Sequence, residues 1–276
     1  MTTLSLYTRS GALNSAPLFQ AFERGARHAG HRVVHDTEAD IAVIWSHLWA
    51  GRMSANQQIW HHYRRTGRSV MAIEVGLKRS LTWRILVNGK DIALPPMTDR
   101  SVRIGLDLKP WNDQGQHVVI ALQRHESLQW QNMPAIEVWC RQQVDQLRQH
   151  TDRPIIVRPH PRGPNIAHVP GAQVMHAQHV SGTYDEFDFV SCIADTWAVI
   201  NHNSNPGVEA ILNGVPAFVH KDSRAAAVAN FDLANIEQPL RPDRNQWFNE
   251  LCHKEWLQAD LESMIGHAIE HAIQPR

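Results

Sequence analysis

The feature that most constrains this chain is its regular alternation of short apolar runs with longer amphipathic stretches. Leu4–Tyr7, His31–Val34, Ile41–Trp45 and Ser69–Glu74 read as strands, each being short and bounded by turn residues. Phe19–His28 and Asn56–Thr66 lie between them with the apolar spacing of helices. Strands separated by helices imply βαβ units and a parallel sheet, because parallel neighbours need a long connection. The same rhythm returns further on. It runs through strand Val118–Leu122, helix Pro134–His150, strands Pro154–Arg158 and Ala172–Met175, and a short helix near Tyr184–Ala194. Strand Trp197–Ile200, helix Pro206–Asn213 and strand Ala217–His220 complete it.

Between the two rhythms, Val75–Trp111 is broken by Gly76, Gly89, Pro95-Pro96, Gly105 and Pro110, and reads as an elaborate loop or a short antiparallel insert. Asp243–Ile273 has helical spacing. With the polar stretch Pro110–Gln116 as linker, the organisation expected is an α/β chain of two lobes, residues 1–114 and 115–242, followed by a helical segment, 243–276. A length of 276 residues suits two lobes of ordinary size.

Composition narrows the partners. Lysine plus arginine and aspartate plus glutamate number 27 each, so no overall field steers the protein to a polyanion, and any contact with DNA must be local. The aromatic and basic stretch Trp60–Arg68 offers such a surface, with a solvated helix face as the commoner explanation of the same residues. Cys140, Cys192 and Cys252 are odd in number and widely spaced, which argues against a disulfide framework or a zinc knuckle. No signal-peptide pattern opens the chain, and no apolar run reaches the roughly 18 residues of a membrane span. The location expected is the cytoplasm. His61 and His62 are adjacent, not four apart as a helical zinc site requires, so no metal is expected.

Two stretches carry chemistry. The apolar strand Ile155–Val157 runs into Arg158-Pro159-His160-Pro161-Arg162, two guanidiniums and an imidazole on a turn stiffened by two prolines. Arginine recognises phosphate bidentately, so the turn suits a pyrophosphate or a departing nucleoside phosphate. The alternative is a proline-rich turn with solvated arginines. Further on, a strand ending at Ile200 feeds Asn201-His202-Asn203-Ser204-Asn205-Pro206, with Glu209 inside the first helical turn and Gly214 at the helix stop. The amides and positive dipole end of that helix favour phosphate, and Glu209 can accept from ribose hydroxyls. Ser204 or Asn203 acting only as a helix cap is the blander account. Arg124, at the end of the strand Val118–Leu122, is a further cation on this side.

The Arg-Pro-His-Pro-Arg turn, paired with Asn-Ser-Asn-x-x-x-Glu-Ala-Ile-Leu-x-Gly-x-Pro-Ala-Phe, resembles the donor half of GT-B glycosyltransferases, notably the capsule-polysaccharide and Kdo-transferase-like groups. Ile73–Gly76, Lys109–Trp111, Thr151–Pro154 and Asp243–Trp247 are also similar to glycosyltransferase-like proteins of bacteriophages. The resemblance implies two Rossmann-like lobes, a C-terminal helix bracing the first, and a nucleotide-sugar donor, most commonly a UDP-sugar, with no other cofactor. It implies donor contacts from Arg124, Arg158, Arg162, Asn203, Ser204, Asn205 and Glu209, with His160 at the leaving group. The acceptor is not fixed by any motif; a phage DNA base and a surface glycan are the candidates. Absence of an Asp-x-Asp motif matches the metal independence usual in GT-B enzymes. An inverting route needs a base, for which Glu74, at a strand end where it can face a cleft between lobes, is the choice and His47 the comparable candidate; a Glu74 salt bridge with Lys78 or Arg79 is the competing account. Other readings are a nucleotide-sugar 2-epimerase-like enzyme and a non-catalytic nucleotide-binding protein.

Overall fold

A computed structural model describes residues 1–183 and 186–274. The chain divides into two compact units. Unit 1 holds Met1–Leu106, Glu126–Leu128 and the chain from Asn249 on; unit 2 holds Asp107–His125 and Gln129–Phe248. Both are Rossmann-like.

Unit 1 is built on a six-stranded sheet, order β2-β1-β3-β4-β5-β6. β1 (Thr3–Leu6), β2 (Arg32–His35), β3 (Ile41–Trp45) and β4 (Ser69–Val75) are parallel. The irregular stretch after β4 adds β5 (Trp83–Val87) and β6 (Lys90–Asp91) as an antiparallel edge, with Glu74 opposite Arg84. Helix α1 (Ala16–His28) buries Leu18, Phe19, Phe22 and Ala26; α2 (Ala55–Arg65) buries Trp60 and Tyr63, and the short α3 (Arg100–Ile104) buries Ile104.

The C-terminal helical stretch is interrupted, which its apolar spacing does not reveal. Trp256 leaves the helix, exchanges backbone hydrogen bonds of 2.7 and 2.8 Å with Trp83, and donates its indole N–H to Ile92 O at 2.9 Å. The last helix, over Gln258–Ile273, packs on α1. Gly25 permits that approach, since a Cβ there would lie 2.2 Å from Leu261 O. The C-terminal helix thus braces the N-terminal sheet.

Unit 2 has a five-stranded, all-parallel sheet, order β11-β10-β7-β8-β9. Its strands are β7 (His117–Ala121), β8 (Ile155–Arg158), β9 (Gln173–Val174), β10 (Thr196–Ile200) and β11 (Ala217–Phe218). Helix α4 (Ile136–Leu147) covers one face with Trp139, Cys140, Val144 and Leu147 against Val118, Ile120, Val157 and Ile200. The short helix near Tyr184–Ala194 is confined to α5 (Phe189–Cys192), and Tyr184 and Asp185 lie outside the described residues. α6 (Asn205–Leu212) follows β10, and α7 (Asn245–His253) precedes the last helix, α8.

The stretch read as a linker belongs to unit 2 from Asp107 on. Lys109 N–H donates to Leu212 O at 2.9 Å and Asn112 N–H to Gly214 O at 2.7 Å, while the Arg244 guanidinium stacks 3.7 Å from the Trp111 ring centre. No helix among the described residues is long and apolar enough to cross a membrane.

Candidate functional site

In unit 2 the chain leaves β7 through α4 to β8 on one side, and leaves β10 through α6 to β11 on the other. The connections therefore diverge between β7 and β10, and the crevice outside such a divergence is where open α/β sheets bind ligands. Ala121 lies opposite Arg158 and Ile120 opposite Ile200, so the turns after β7, β8 and β10 share one edge. Of the residues expected to bind the donor, Arg158 ends β8, Arg124, Arg162, Asn203 and Ser204 follow the strands on those turns, Asn205 opens α6, and Glu209 lies beyond the first helical turn rather than inside it as expected, because the helix begins only at Asn205.

Asn201 organises this edge. Only 1% exposed, it donates through Nδ2 to Ala121 O and to Ser204 Oγ, both at 2.9 Å, and accepts the Ser204 N–H at 2.9 Å. Gln123, also buried, reaches across from β7: its Nε2 donates to Asn203 Oδ1 at 3.0 Å and its Oε1 accepts the Asn203 N–H at 3.1 Å. Asn203 and Ser204 are thereby locked from both strands. Ser204 occupies the N-cap position, yet its side chain does not cap α6. The amides of this turn are engaged within it: the Asn203 N–H meets Gln123, the Ser204 N–H meets Asn201, Pro206 has none, and the Gly207 N–H donates to Ser204 O at 3.3 Å. Pro206 stands in the first turn, where no N–H is needed, and Asn205 and Glu209 are half-buried on the same helix.

The Arg158–Arg162 turn differs from expectation. Arg158, expected to emerge with Arg162, is the last residue of β8 and only 4% exposed, buried beside Asp188 and Phe189. Its Nη2 donates to Asp188 Oδ1, its guanidinium carbon lies 5.9 Å from the Phe189 ring centre, and its Nη1 is buried with no hydrogen-bond partner among the described residues. Asp188 also accepts the Gln178 N–H at 2.8 Å. Burial raises the Asp188 carboxyl, but Arg158 and the Gln178 amide outweigh it and hold the group below the usual aspartate range. His160 is half-buried, Arg162 exposed, and Arg124 half-buried. His160 Nδ1 accepts the Arg162 N–H at 3.0 Å, so a neutral ring carries its proton on Nε2 as a donor.

His202 escaped the sequence reading. It is buried against Trp130 and Trp139, with ring centres 5.1 and 6.3 Å away, and against His220 at 4.7 Å. Burial and the neighbouring imidazole lower its pKa to about 4, so it is neutral at physiological pH.

In unit 1, Glu74 and His47, the two candidates for the base, meet. Glu74 accepts from Ser46 Oγ at 2.9 Å and from His47 N–H at 2.6 Å, and His47 Nδ1 lies 3.3 Å from its Oε1. Burial raises the carboxyl, but His47 and then Arg84 overcome this and hold it at about 2. Its close partners are therefore Ser46 and His47, with Arg84 across the sheet, rather than the Lys78 or Arg79 expected from proximity in sequence. Ser46 has φ +64°, a left-handed conformation uncommon outside glycine. The His47 ring is fully buried and stands edge-on to Trp60 at 4.6 Å. Among the described residues no cluster of three or more His, Cys, Asp or Glu could hold a metal ion.

No family model matches the chain, and no curated protein sequence does either. Solved structures do. The beta Kdo 2,4 transferase of Thermosulfurimonas dismutans KpsC superposes with a TM-score of 0.54 at 11% identity, covering 99% of this chain and 98% of that one. The fold is GT-B. A GT-B chain places two Rossmann-like units in sequence, and the superposition spans both. Weaker superpositions, each with a TM-score of 0.42 and 11% identity, are to the beta Kdo 2,7 transferase of the same KpsC and to Methanocaldococcus jannaschii UDP-GlcNAc 2-epimerase. They cover 99% of both chains and 98% and 99% respectively.

Proposed function

We propose that this GT-B chain is a glycosyltransferase that binds a nucleotide-sugar at the diverging edge of unit 2. The observation that carries the reading is Arg158 at the diverging edge, whose Nη1 is buried with no hydrogen-bond partner among the described residues. An orphaned buried guanidinium donor is costly unless a ligand completes it. In this reading a donor phosphate takes Arg158 Nη1 and faces the positive dipole end of α6. Asn203, Ser204 and Asn205 shape the turn around it, and Glu209 accepts from the ribose hydroxyls.

Leaving-group charge is met by Arg124, Arg162 and the Nε2–H of His160 without a metal, since preorganised cations and donors stabilise charge where it develops. Glu74, with a pKa of about 2, is too weak a base to remove an acceptor proton efficiently near neutrality. We assign it to fixing the Ser46-His47 turn. Support for transferase over epimerase chemistry comes from the fold alone, through the Kdo transferase superposition.

The test is a thermal-shift screen against UDP, CMP, CDP, GDP, ADP and their sugar conjugates, repeated on Arg158→Ala and Glu209→Ala. A ligand at about 100 times its dissociation constant adds about 2.7 kcal/mol to folded-state stability. One nucleotide should raise the melting temperature of the wild type, and each substitution should remove the rise. Failure of every nucleotide to shift the wild type refutes the proposal.

A further inference from the structure

We infer that Asp188 is the positioning residue of the unit 2 site: it holds the Arg158 guanidinium so that Nη1 is kept for the anionic oxygen of a nucleotide. The inference rests on the proposed nucleotide site and adds a residue that lies outside both chemical stretches of the sequence. Arg158 ends a strand, and its long side chain has many rotamers that burial must reduce to one. Asp188 does this from one side, through Nη2. The carboxylate is itself fixed, accepting the Gln178 N–H at 2.8 Å from the chain that follows β9, and it directly precedes α5, whose Phe189 ring stands beside the guanidinium.

Two accounts of Asp188 predict opposite signs. As a mere counter-charge it repels an incoming phosphate, and neutralising it should tighten binding. As a positioning group it fixes a charge-assisted hydrogen bond, and neutralising it should weaken binding although a negative charge has been removed. The geometry favours the second. Asp188 occupies Nη2 alone, so the ion pair and a ligand on Nη1 do not compete for one donor.

The experiment is calorimetric titration of UDP, CMP, CDP, GDP and ADP into wild type, Arg158→Ala, Asp188→Asn, Asp188→Glu and the Arg158→Ala/Asp188→Asn double variant. Asp188→Asn should weaken binding of the responsive nucleotide about tenfold, the loss that accompanies one misplaced charge-assisted hydrogen bond. Asp188→Glu should recover part of it. In the Arg158→Ala background Asp188→Asn should change nothing further, since its action passes through Arg158. Should Asp188→Asn fail to fold, Asp188→Glu and the double variant still carry the comparison. If Arg158→Ala loses binding while Asp188→Asn binds as well as wild type or better, the positioning role is overturned and the nucleotide site stands. If wild type binds none of these nucleotides, or Arg158→Ala binds as tightly as wild type, the site itself is misplaced and the inference falls with it.

Discussion

Glu74→Gln should make the stability of the protein less dependent on acid. The carboxyl is held at about 2, against an ordinary 4.5, by His47 and Arg84 acting against its burial. A folded-state pKa below the unfolded one means that the ionised group stabilises the fold at every pH above the unfolded value. That contribution is lost as pH falls from 4.5 towards 2. At about 1.4 kcal/mol per pKa unit, the shift corresponds to roughly 3 kcal/mol near neutrality. Glutamine keeps the shape and one acceptor oxygen for Ser46 or the His47 N–H but removes the charge. Urea unfolding of both proteins, from neutral pH down to about pH 3, should show the variant less stable by roughly that amount at the top of the range and the gap closing below about pH 5. A gap that stays constant with pH, or is absent at neutrality, refutes the argument that His47 and Arg84 depress this carboxyl, and with it the case against Glu74 as a base.

Three further outcomes follow from the packing and ionisation of single residues. Gly214→Ala should destabilise far more than Gly105→Ala in chemical unfolding. Both glycines have positive φ, +80° and +63°, costing alanine roughly 1–2 kcal/mol, but a Cβ at 214 would also lie 1.9 Å from Pro110 O whereas nothing lies within 4 Å at 105. Asp260→Asn should cost roughly 3–5 kcal/mol by the same measurement, because it strands the buried Arg100 guanidinium that it meets at 2.6 Å; Arg24→Ala, which removes an exposed pair with Glu262, should cost no more than about 1 kcal/mol. His202, with a folded pKa of about 4 against an ordinary 6.5, contributes stability that is present above pH 6.5 and lost as pH falls through 4, so melting curves of His202→Phe should decline less over that window than those of wild type.

The strands and helices of both units were largely legible because each is a short run of one period set between turn residues. So was the polar turn Asn201–Glu209, where a buried strand, a run of small amides and Pro206 signal a helix start whatever the tertiary contacts. What stayed hidden depends on partners distant in sequence. In an all-parallel sheet covered on both faces, apolar residues carry no alternation, so the side to which Arg158 points was unreadable and its burial unforeseen. Asp188 and Gln178 gain meaning only when the chain after β9 returns beside β8. Trp256 interrupts a stretch whose apolar spacing continues to read as helix, because its pairing with Trp83 spans more than half the chain. Gln123 and Asn201 carried the one signal that could have found them, an amide at the end of an apolar strand. Such a side chain, when buried, must satisfy both its donors and its acceptor.

Topology alone would let either unit receive a phosphate, since each sheet has a point where its connections diverge: between β1 and β3 in unit 1, between β7 and β10 in unit 2. Charge decides between them. At the unit 1 edge the Ser46-His47 turn is held by the ionised Glu74. A unit anion brought to about 4 Å of that carboxylate meets a repulsion of roughly 4 kcal/mol at the dielectric of a protein surface. At the unit 2 edge Asp188 is already committed to Arg158, and the anion faces the positive dipole end of α6, worth up to about 2 kcal/mol. Arg158 Nη1 adds a buried cationic donor with no hydrogen-bond partner among the described residues. The two edges differ by several kcal/mol in favour of unit 2. A nucleotide that binds Glu74→Gln as tightly as wild type, and loses affinity in Arg158→Ala, would be the direct expression of that asymmetry.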